Sequence, residues 1–155
     1  TGRTHHRTPN IITSLELDPP EMEKRNIHLQ KKYAEIEENE VRFEELHCED
    51  AEYLIVAFGS CARIAQKAME MAREEGIKVG LLRPITLWPF PSKAIAARAA
   101  QVKGILTVEL NAGQMVEDVR LAVKCKVPVE HFGRLGGIVP DPDEVITALK
   151  EKLIK

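Results

Sequence analysis

The feature that most constrains the fold is a regular alternation of short apolar runs with segments of helical period between residues 53 and 153. The run at 53–58, YLIVAF, is continuous, as in a strand that is covered on both faces. Strands that alternate with helices of this length form a mostly parallel sheet with helices on both faces. The strands are predicted at 53–58, 77–82, 104–110 and 127–132, and the helices follow 60, 91, 113 and 141.

Two further elements are predicted before this alternation. Pro19 and Pro20 favour the start of a helix that we expect to end near Glu38. Its apolar stripe is narrow and typical of a helix lying on another surface, so we interpret it as a linker. Alternating residues at 41–47 predict a short edge strand. We therefore expect a loop and linker helix at 1–40 and an α/β domain at 41–155. Because the chain begins with Thr1 rather than Met, we expect a piece of a larger protein.

Composition and charge exclude several classes. The net charge of −2 gives no basic face for nucleic acid. No apolar run is long enough to cross a bilayer. Three cysteines, odd in number and widely spaced, form neither a disulfide framework nor a CxxC metal site. We expect them to be reduced in a cytoplasmic protein. The adjacent His5 and His6 lack a third ligand and are a weak metal signal.

Three local signals predict where helices begin and end. Ser60 follows the first buried strand and is predicted to cap the next helix. Gly76 is placed to end that helix in a left-handed conformation. Asp141, with Pro142 behind it and Glu144 three residues on, is the pattern of a capping box.

The loops after the four parallel strands should meet at one edge of the sheet, beyond the strands' carboxyl ends. The loop at 83–91 holds three prolines and two aromatic rings, which makes it stiff. A stiff loop that presents Trp88 and Phe90 favours a protein interface, with Arg83 beside them. The alternative is that both rings fold back over the sheet.

Glu109 ends a buried strand, where an unpaired carboxylate would be costly, so we expect it to have a partner such as an arginine or backbone N–H groups. Asn111 and Gln114 follow it at a helix N-terminus, and this is the most site-like cluster in the sequence. It contains no nucleophile, metal-ligand set or acid/base pair. We therefore predict no catalytic, cofactor-binding or metal-binding residue in this chain acting alone.

The remaining two loops are less specific. Arg134 lies among three glycines at 133–137 and is expected to pair with Glu109 or with a neighbouring subunit. His131, in the strand before it, is interpreted as a hydrogen-bonded residue rather than a ligand. The Gly59–Ser60 turn lacks the glycine and lysine pattern of a nucleotide site, which favours a simple tight turn.

Taken together, these motifs carry a family resemblance. They are Gly59-Ser60 with Arg63, GLLRPITLWPFP at 80–91, ELNAGQMVEDVR at 109–120 and GRLGG at 133–137. This combination resembles the α subunit of 2-oxoacid:ferredoxin oxidoreductases over about residues 15–150. The preceding EKRN at 23–26 and YAEIEENE at 33–40 resemble the 2-ketoisovalerate branch, and the 2-oxoglutarate branch remains open.

The resemblance implies a three-layer α/β/α domain like the C-terminal domain of transketolase, with a five-stranded, mostly parallel sheet and an antiparallel first edge strand. It implies an enzyme that decarboxylates a 2-oxoacid on thiamine diphosphate with magnesium, makes an acyl-CoA and passes electrons through iron–sulfur clusters to ferredoxin. The cofactors would lie on a missing domain and on other subunits. The partners would be those subunits, in an oligomer, with ferredoxin and coenzyme A serving the whole complex.

Two other classes of function stay open on the sequence. One is a stand-alone nucleotide- or CoA-binding domain that uses the loops at 111–114 and 133–137. The other is a simple dimerisation module.

Overall fold

A computed structural model describes Thr8 and residues 15–154 of the chain. The chain divides into two compact units, residues 1–38 and 39–155. Residues 15–18 have no regular secondary structure, and helix α1 spans Pro19–Asn39, close to the predicted bounds. No α1 residue is fully buried. His5 and His6 lie outside the described residues.

The second unit has the alternating order that the sequence predicts. Its elements are β1 (Phe43–Leu46), β2 (Tyr53–Ala57), α2 (Gly59–Glu74), β3 (Val79–Pro84), α3 (Ser92–Ala99), β4 (Gly104–Glu109), α4 (Met115–Val123), β5 (Val129–Gly133) and α5 (Pro142–Leu149), followed by a π-helical turn at Lys150–Ile154. The five strands form one sheet in the order β1-β3-β2-β4-β5. Strands β2 to β5 are parallel, and β1 pairs antiparallel with β3 at the edge. The fold implied by the resemblance is confirmed.

Alternate strand residues face two separate cores, which gives the domain its three layers. Ile55, Leu81 and Leu106 pack with α2 and α5 on one face. Leu54 and Ile105 pack with α3 and α4 on the other. Each of these side chains is at most 1% exposed, and burying one such side chain contributes about 1.5–3 kcal/mol. Strand β2 is therefore apolar and covered on both faces, as the run at 53–58 predicted.

Strand β1 is held to the sheet by side chains as well as by its ladder. Arg98 of α3 donates from Nε and a terminal nitrogen to the two oxygens of Glu45, at 2.9 and 2.6 Å. The hydrogen bond from Arg98 holds the pKa of Glu45 below its usual value. Beyond the strand, burial raises the pKa of the Cys48 thiol to about 11. The antiparallel edge is thus tied to the layer of helices behind it.

The end of α2 explains why β3 begins two residues later than predicted. Gly76 is left-handed, with φ of +84°, and its N–H donates to Arg73 O. The N–H of Ile77 donates to Ala72 O, which completes a Schellman motif. Because Ile77 closes the helix, it cannot start the strand. At the other end, β3 continues to Pro84 because Phe43 of β1 pairs opposite it.

Two other predicted helix starts had different outcomes. Asp141 and Glu144 form the predicted capping box, in which each side chain accepts from the other's backbone N–H. The prediction that Ser60 caps α2 is wrong, because α2 begins at Gly59 with Phe58 at the N-cap and no side-chain cap. Gly59 adopts a φ of +57°, which lets the helix begin directly after the strand.

Of the helices that the structure describes, not one is sufficiently long and apolar to cross a membrane.

Candidate interface at the carboxyl edge of the sheet

The loops after β2, β3, β4 and β5 leave the same edge of the sheet because these strands are parallel. Phe43 joins this edge because the antiparallel β1 places it opposite Pro84. Of the nine large apolar side chains that are exposed in residues 39–154, eight lie here. We call these eight the apolar edge: Phe43, Ile85, Leu87, Trp88, Leu110, Leu135, Ile138 and Val139. The ninth, Leu121, lies on α4.

Glu109 stands at the end of β4 and is only 1% exposed. Its carboxylate accepts the N–H groups of Gln114, Met115 and Val116 at 3.2, 2.8 and 3.0 Å. These are the first N–H groups of α4, which have no partner inside the helix. The expected partner of Glu109 is therefore backbone N–H rather than an arginine, and the carboxylate also suits the positive end of the helix dipole.

Of the other two residues of the predicted cluster, only Asn111 supports the local structure through its side chain. Asn111 accepts a hydrogen bond from the Gly113 N–H through Oδ1 at 2.7 Å, which closes the turn before α4. Gln114 is the N-cap residue of α4, and its exposed side chain makes no capping hydrogen bond. The N-terminus of α4 is already occupied by a protein carboxylate, so it does not offer an anion site to a phosphate.

His131 lies beside Glu109 on the neighbouring strand. Its Nδ1 is 3.2 Å from the Thr107 hydroxyl and 3.5 Å from Glu109 Oε1. Thr107 is completely buried and donates its own proton to Glu130 O at 3.3 Å. The interpretation of His131 as a hydrogen-bonded residue is correct. The sequence did not single out Thr107, although its place opposite His131 in the β4–β5 register follows from the strand alignment.

Arg134, in the loop after β5, does not form the side-chain pair with Glu109 that was one of its two expected contacts. The Arg134 side chain pairs with Glu144 of α5 at 3.2 Å, and only its backbone N–H reaches Glu109, at the carbonyl oxygen. The side chain therefore ties the loop to α5. Gly133 is required by space, because a Cβ there would lie 2.2 Å from Asn111 O.

The two aromatic rings of the loop after β3 differ in their exposure. Trp88 is 54% exposed, as expected for an interface ring. Phe90 is partly buried and packs against the core beneath α3, as in the alternative that the sequence left open. The loop is held by Thr86, whose hydroxyl donates to Pro89 O at 2.9 Å and accepts from the Arg42 N–H at 3.0 Å.

Arg83, at the end of β3, pairs with Glu44 across the β1–β3 ladder, with 2.8 Å between its terminal nitrogen and the carboxylate. It is therefore a cross-strand partner within the domain. Arg63, in the first turn of α2, is exposed.

The polar side chains at this edge are thus mostly used within the domain, while the apolar ones are left exposed. Among residues 15–154 and Thr8, no three His, Cys, Asp or Glu side chains come together to hold a metal ion. The three cysteines are free, with Cys48 and Cys61 buried and Cys125 exposed.

Comparison with known proteins gives one family model and several relatives. The model described as pyruvate:ferredoxin oxidoreductase core domain II matches residues 51–145. The ketoisovalerate oxidoreductase subunit VorB of Methanothermobacter thermautotrophicus is 49% identical over 142 residues, 92% of this chain and 40% of VorB. The 2-oxoglutarate synthase subunit KorA of the same organism is 35% identical over 101 residues, 65% of this chain and 27% of KorA. The chain therefore spans two fifths or less of the length of these relatives.

Two solved structures share the fold. The 2-oxoglutarate:ferredoxin oxidoreductase from Magnetococcus marinus, solved with 2-oxoglutarate, coenzyme A and succinyl-CoA bound, superposes with a TM-score of 0.75 at 25% identity, over 88% of this chain and 24% of that one. A split-gene transketolase, described as an inactive β4 tetramer, gives 0.62 at 20% identity over 73% of this chain and 41% of that one, which shows the fold alone. The sheet with its antiparallel first strand and the match over residues 51–145 show that this chain belongs to the pyruvate:ferredoxin oxidoreductase core domain II family.

Proposed function

We propose that this chain is an assembly domain, which holds neighbouring parts of a thiamine-diphosphate-dependent 2-oxoacid:ferredoxin oxidoreductase through its apolar edge. The observation that carries the proposal is the concentration of exposed apolar side chains at the carboxyl edge, eight of nine in residues 39–154. An exposed apolar patch on a stable domain marks a surface for another protein. Trp88 is the strongest anchor, since tryptophan often dominates interface energies.

For the whole enzyme we propose the oxidative decarboxylation of 2-ketoisovalerate to an acyl-CoA, with reduction of ferredoxin. The support is the 49% identity to VorB, against 35% over a shorter stretch to KorA. A 2-oxoglutarate enzyme is the alternative, and the superposition on the Magnetococcus marinus structure supports it. We place the enzyme in the cytoplasm, in agreement with the three free cysteines.

The residues described here do not fit the cofactors of such an enzyme. No group of His, Cys, Asp or Glu side chains in the described part of the chain offers a ligand set for magnesium or an iron–sulfur cluster. The first N–H groups of α4 are already bound by the Glu109 carboxylate, so they are not available to a diphosphate. We propose that thiamine diphosphate, magnesium and the clusters are held by other parts of the enzyme, which also meet coenzyme A and ferredoxin.

Two variants and one control test the assembly role. Trp88→Ala and Leu135→Ser each remove an exposed anchor of the apolar edge, whereas Leu121→Ser alters a leucine that is even more exposed, at 76%, but lies elsewhere. We expect each edge variant to weaken association with the remaining polypeptides of the enzyme by about tenfold or more, and Leu121→Ser to leave it unchanged. Analytical ultracentrifugation with purified components measures this. Unchanged association of both edge variants contradicts the proposal.

Calorimetry of the chain with thiamine diphosphate, coenzyme A and NAD separates the proposal from a stand-alone ligand-binding module. We expect no tight binding of any of the three, because Glu109 accepts the first N–H groups of α4. Micromolar binding of one of them by this chain alone would favour the ligand-binding function. Self-association without any other polypeptide would instead favour a dimerisation module.

A further inference from the structure

The side chain of His131 has one ring nitrogen fixed inside the domain and the other directed outward. Nδ1 lies 3.2 Å from the Thr107 hydroxyl and 3.5 Å from a carboxylate oxygen of Glu109. Because the Thr107 proton is donated to Glu130 O, the hydroxyl presents a lone pair to Nδ1. A carboxylate accepts hydrogen bonds and donates none when ionised. Both neighbours therefore require a proton on Nδ1, so in the neutral ring Nε2 carries the lone pair.

Nε2 is reachable from outside the domain. Among the residues that the structure describes, Nε2 makes no hydrogen bond. In the described part of the chain, Arg134 Nε is the one side-chain nitrogen or oxygen that is both buried and without a hydrogen-bond partner. Because His131 Nε2 also lacks a partner but is a different atom, it cannot be buried and must be accessible to solvent. The His131 side chain is 21% exposed.

Gly133 keeps the approach to Nε2 open, because a Cβ at this position would lie 2.6 Å from Nε2. Gly133 pairs with Glu109 in the β4–β5 ladder, and the loops that carry the exposed Leu110 and Leu135 begin directly after this pair. Both leucines belong to the apolar edge.

We propose that His131 Nε2 accepts a hydrogen bond from a lysine or arginine side chain of the polypeptide that docks on the apolar edge. The inference rests on the proposed assembly function and names a residue that positions the partner. A cationic donor fits because the buried Glu109 carboxylate polarises the ring through Nδ1, which strengthens acceptance at Nε2.

The amide side chains offer a matched pair of variants. In His131→Asn the amide lies near the Nδ1 position, so it can still donate to Thr107 and Glu109, but nothing replaces Nε2. In His131→Gln the amide reaches the Nε2 position and can accept from a partner, while the inner contact is lost. The two variants therefore separate the outward contact from the internal one.

The test measures association of the assembled full-length enzyme's polypeptides and thermal unfolding for both variants. We expect His131→Asn to weaken association about tenfold with little change in melting temperature, and His131→Gln to lower the melting temperature but keep association within about threefold. Nitrogen-15 spectra of the ring should show a protonated Nδ1 and an unprotonated Nε2.

Wild-type association in His131→Asn, or a larger loss in His131→Gln than in His131→Asn, overturns the role of Nε2. A neutral ring protonated at Nε2 overturns it as well. If the unaltered polypeptides themselves do not associate, the proposed assembly function fails, and this inference fails with it.

Discussion

Glu109→Gln is the substitution that most directly examines how the carboxyl edge is held. The carboxylate accepts three N–H groups through its two oxygens, Gln114 and Met115 through Oε2 and Val116 through Oε1. A glutamine can keep its one oxygen at the Oε2 position. Its NH2 group then faces the Val116 N–H, and two donors cannot form a hydrogen bond with each other.

The expected loss can be worked from these contacts. One hydrogen bond to a charged acceptor contributes about 1.5–3 kcal/mol. The interaction of the carboxylate with the N-terminal end of α4 adds about 0.3–1 kcal/mol, and more in a buried place. We therefore expect Glu109→Gln to lower the free energy of unfolding by about 3 kcal/mol. For a domain of this size that is a fall of about 10 °C in melting temperature.

Urea and thermal unfolding followed by circular dichroism measure the loss, with Glu117→Gln as the matched control. Glu117 lies in the same first turn of α4 and is exposed, so it interacts with the helix dipole but accepts none of these N–H groups. We expect the control to cost about 0.3–1 kcal/mol. If Glu109→Gln costs no more than Glu117→Gln, the carboxylate does not cap α4 and the account of this loop is wrong.

The hydrogen bond from Arg98 lowers the pKa of Glu45, so the stabilisation from this carboxylate is present above the usual pKa near 4.5 and is lost as the pH falls below it. Between pH 6 and pH 3, the free energy of unfolding of Glu45→Gln should therefore fall by roughly 1 kcal/mol less than that of the wild type. Parallel pH curves of the two proteins would refute this. Gly133→Ala should lower the free energy of unfolding in urea by about 3 kcal/mol, because the new Cβ would meet the backbone oxygen of Asn111. Gly136→Ala has open space around it and should lower this free energy by only about 1 kcal/mol, from its left-handed backbone. Equal losses would count against the close approach between Gly133 and Asn111. Iodoacetamide should modify the exposed Cys125 in the folded chain but not the buried Cys48, whose pKa is raised to about 11. Mass spectrometry of the labelled chain measures this, and rapid labelling of both cysteines would contradict the burial of Cys48.

The order and type of the elements in the α/β domain could be predicted from sequence because strands and helices there have clear and different periods. The capping box at Asp141 and the stop at Gly76 were also readable, since each depends on residues a few positions apart. The start of β3 was not readable in the same way. It depends on whether Ile77 serves the helix before it or the strand after it, and the backbone bond to Ala72 decides for the helix.

At the carboxyl edge the sequence predicted which residues matter better than what they contact. The sequence required a partner for the buried Glu109 but could not choose between Arg134 and backbone N–H groups. The loop geometry decides for the α4 N–H groups, because Arg134 pairs with Glu144. It could not separate Trp88 from Phe90, because two rings two residues apart on a loop follow no period. The role of Thr107 rests on its position opposite His131, which depends on the register between two strands far apart in the chain.

The central claim is that the apolar edge is covered by another polypeptide in the assembled enzyme. Trp88 is the only tryptophan of the chain, so 5-fluorotryptophan labels that edge at one position. The measurement is the shift of its fluorine resonance between H2O and D2O, first for the chain alone and then after addition of the unlabelled polypeptides of the enzyme. With Trp88 54% exposed, the account predicts a clear solvent shift for the chain alone and its loss on assembly. A solvent shift that stays the same in the assembled enzyme would contradict the claim.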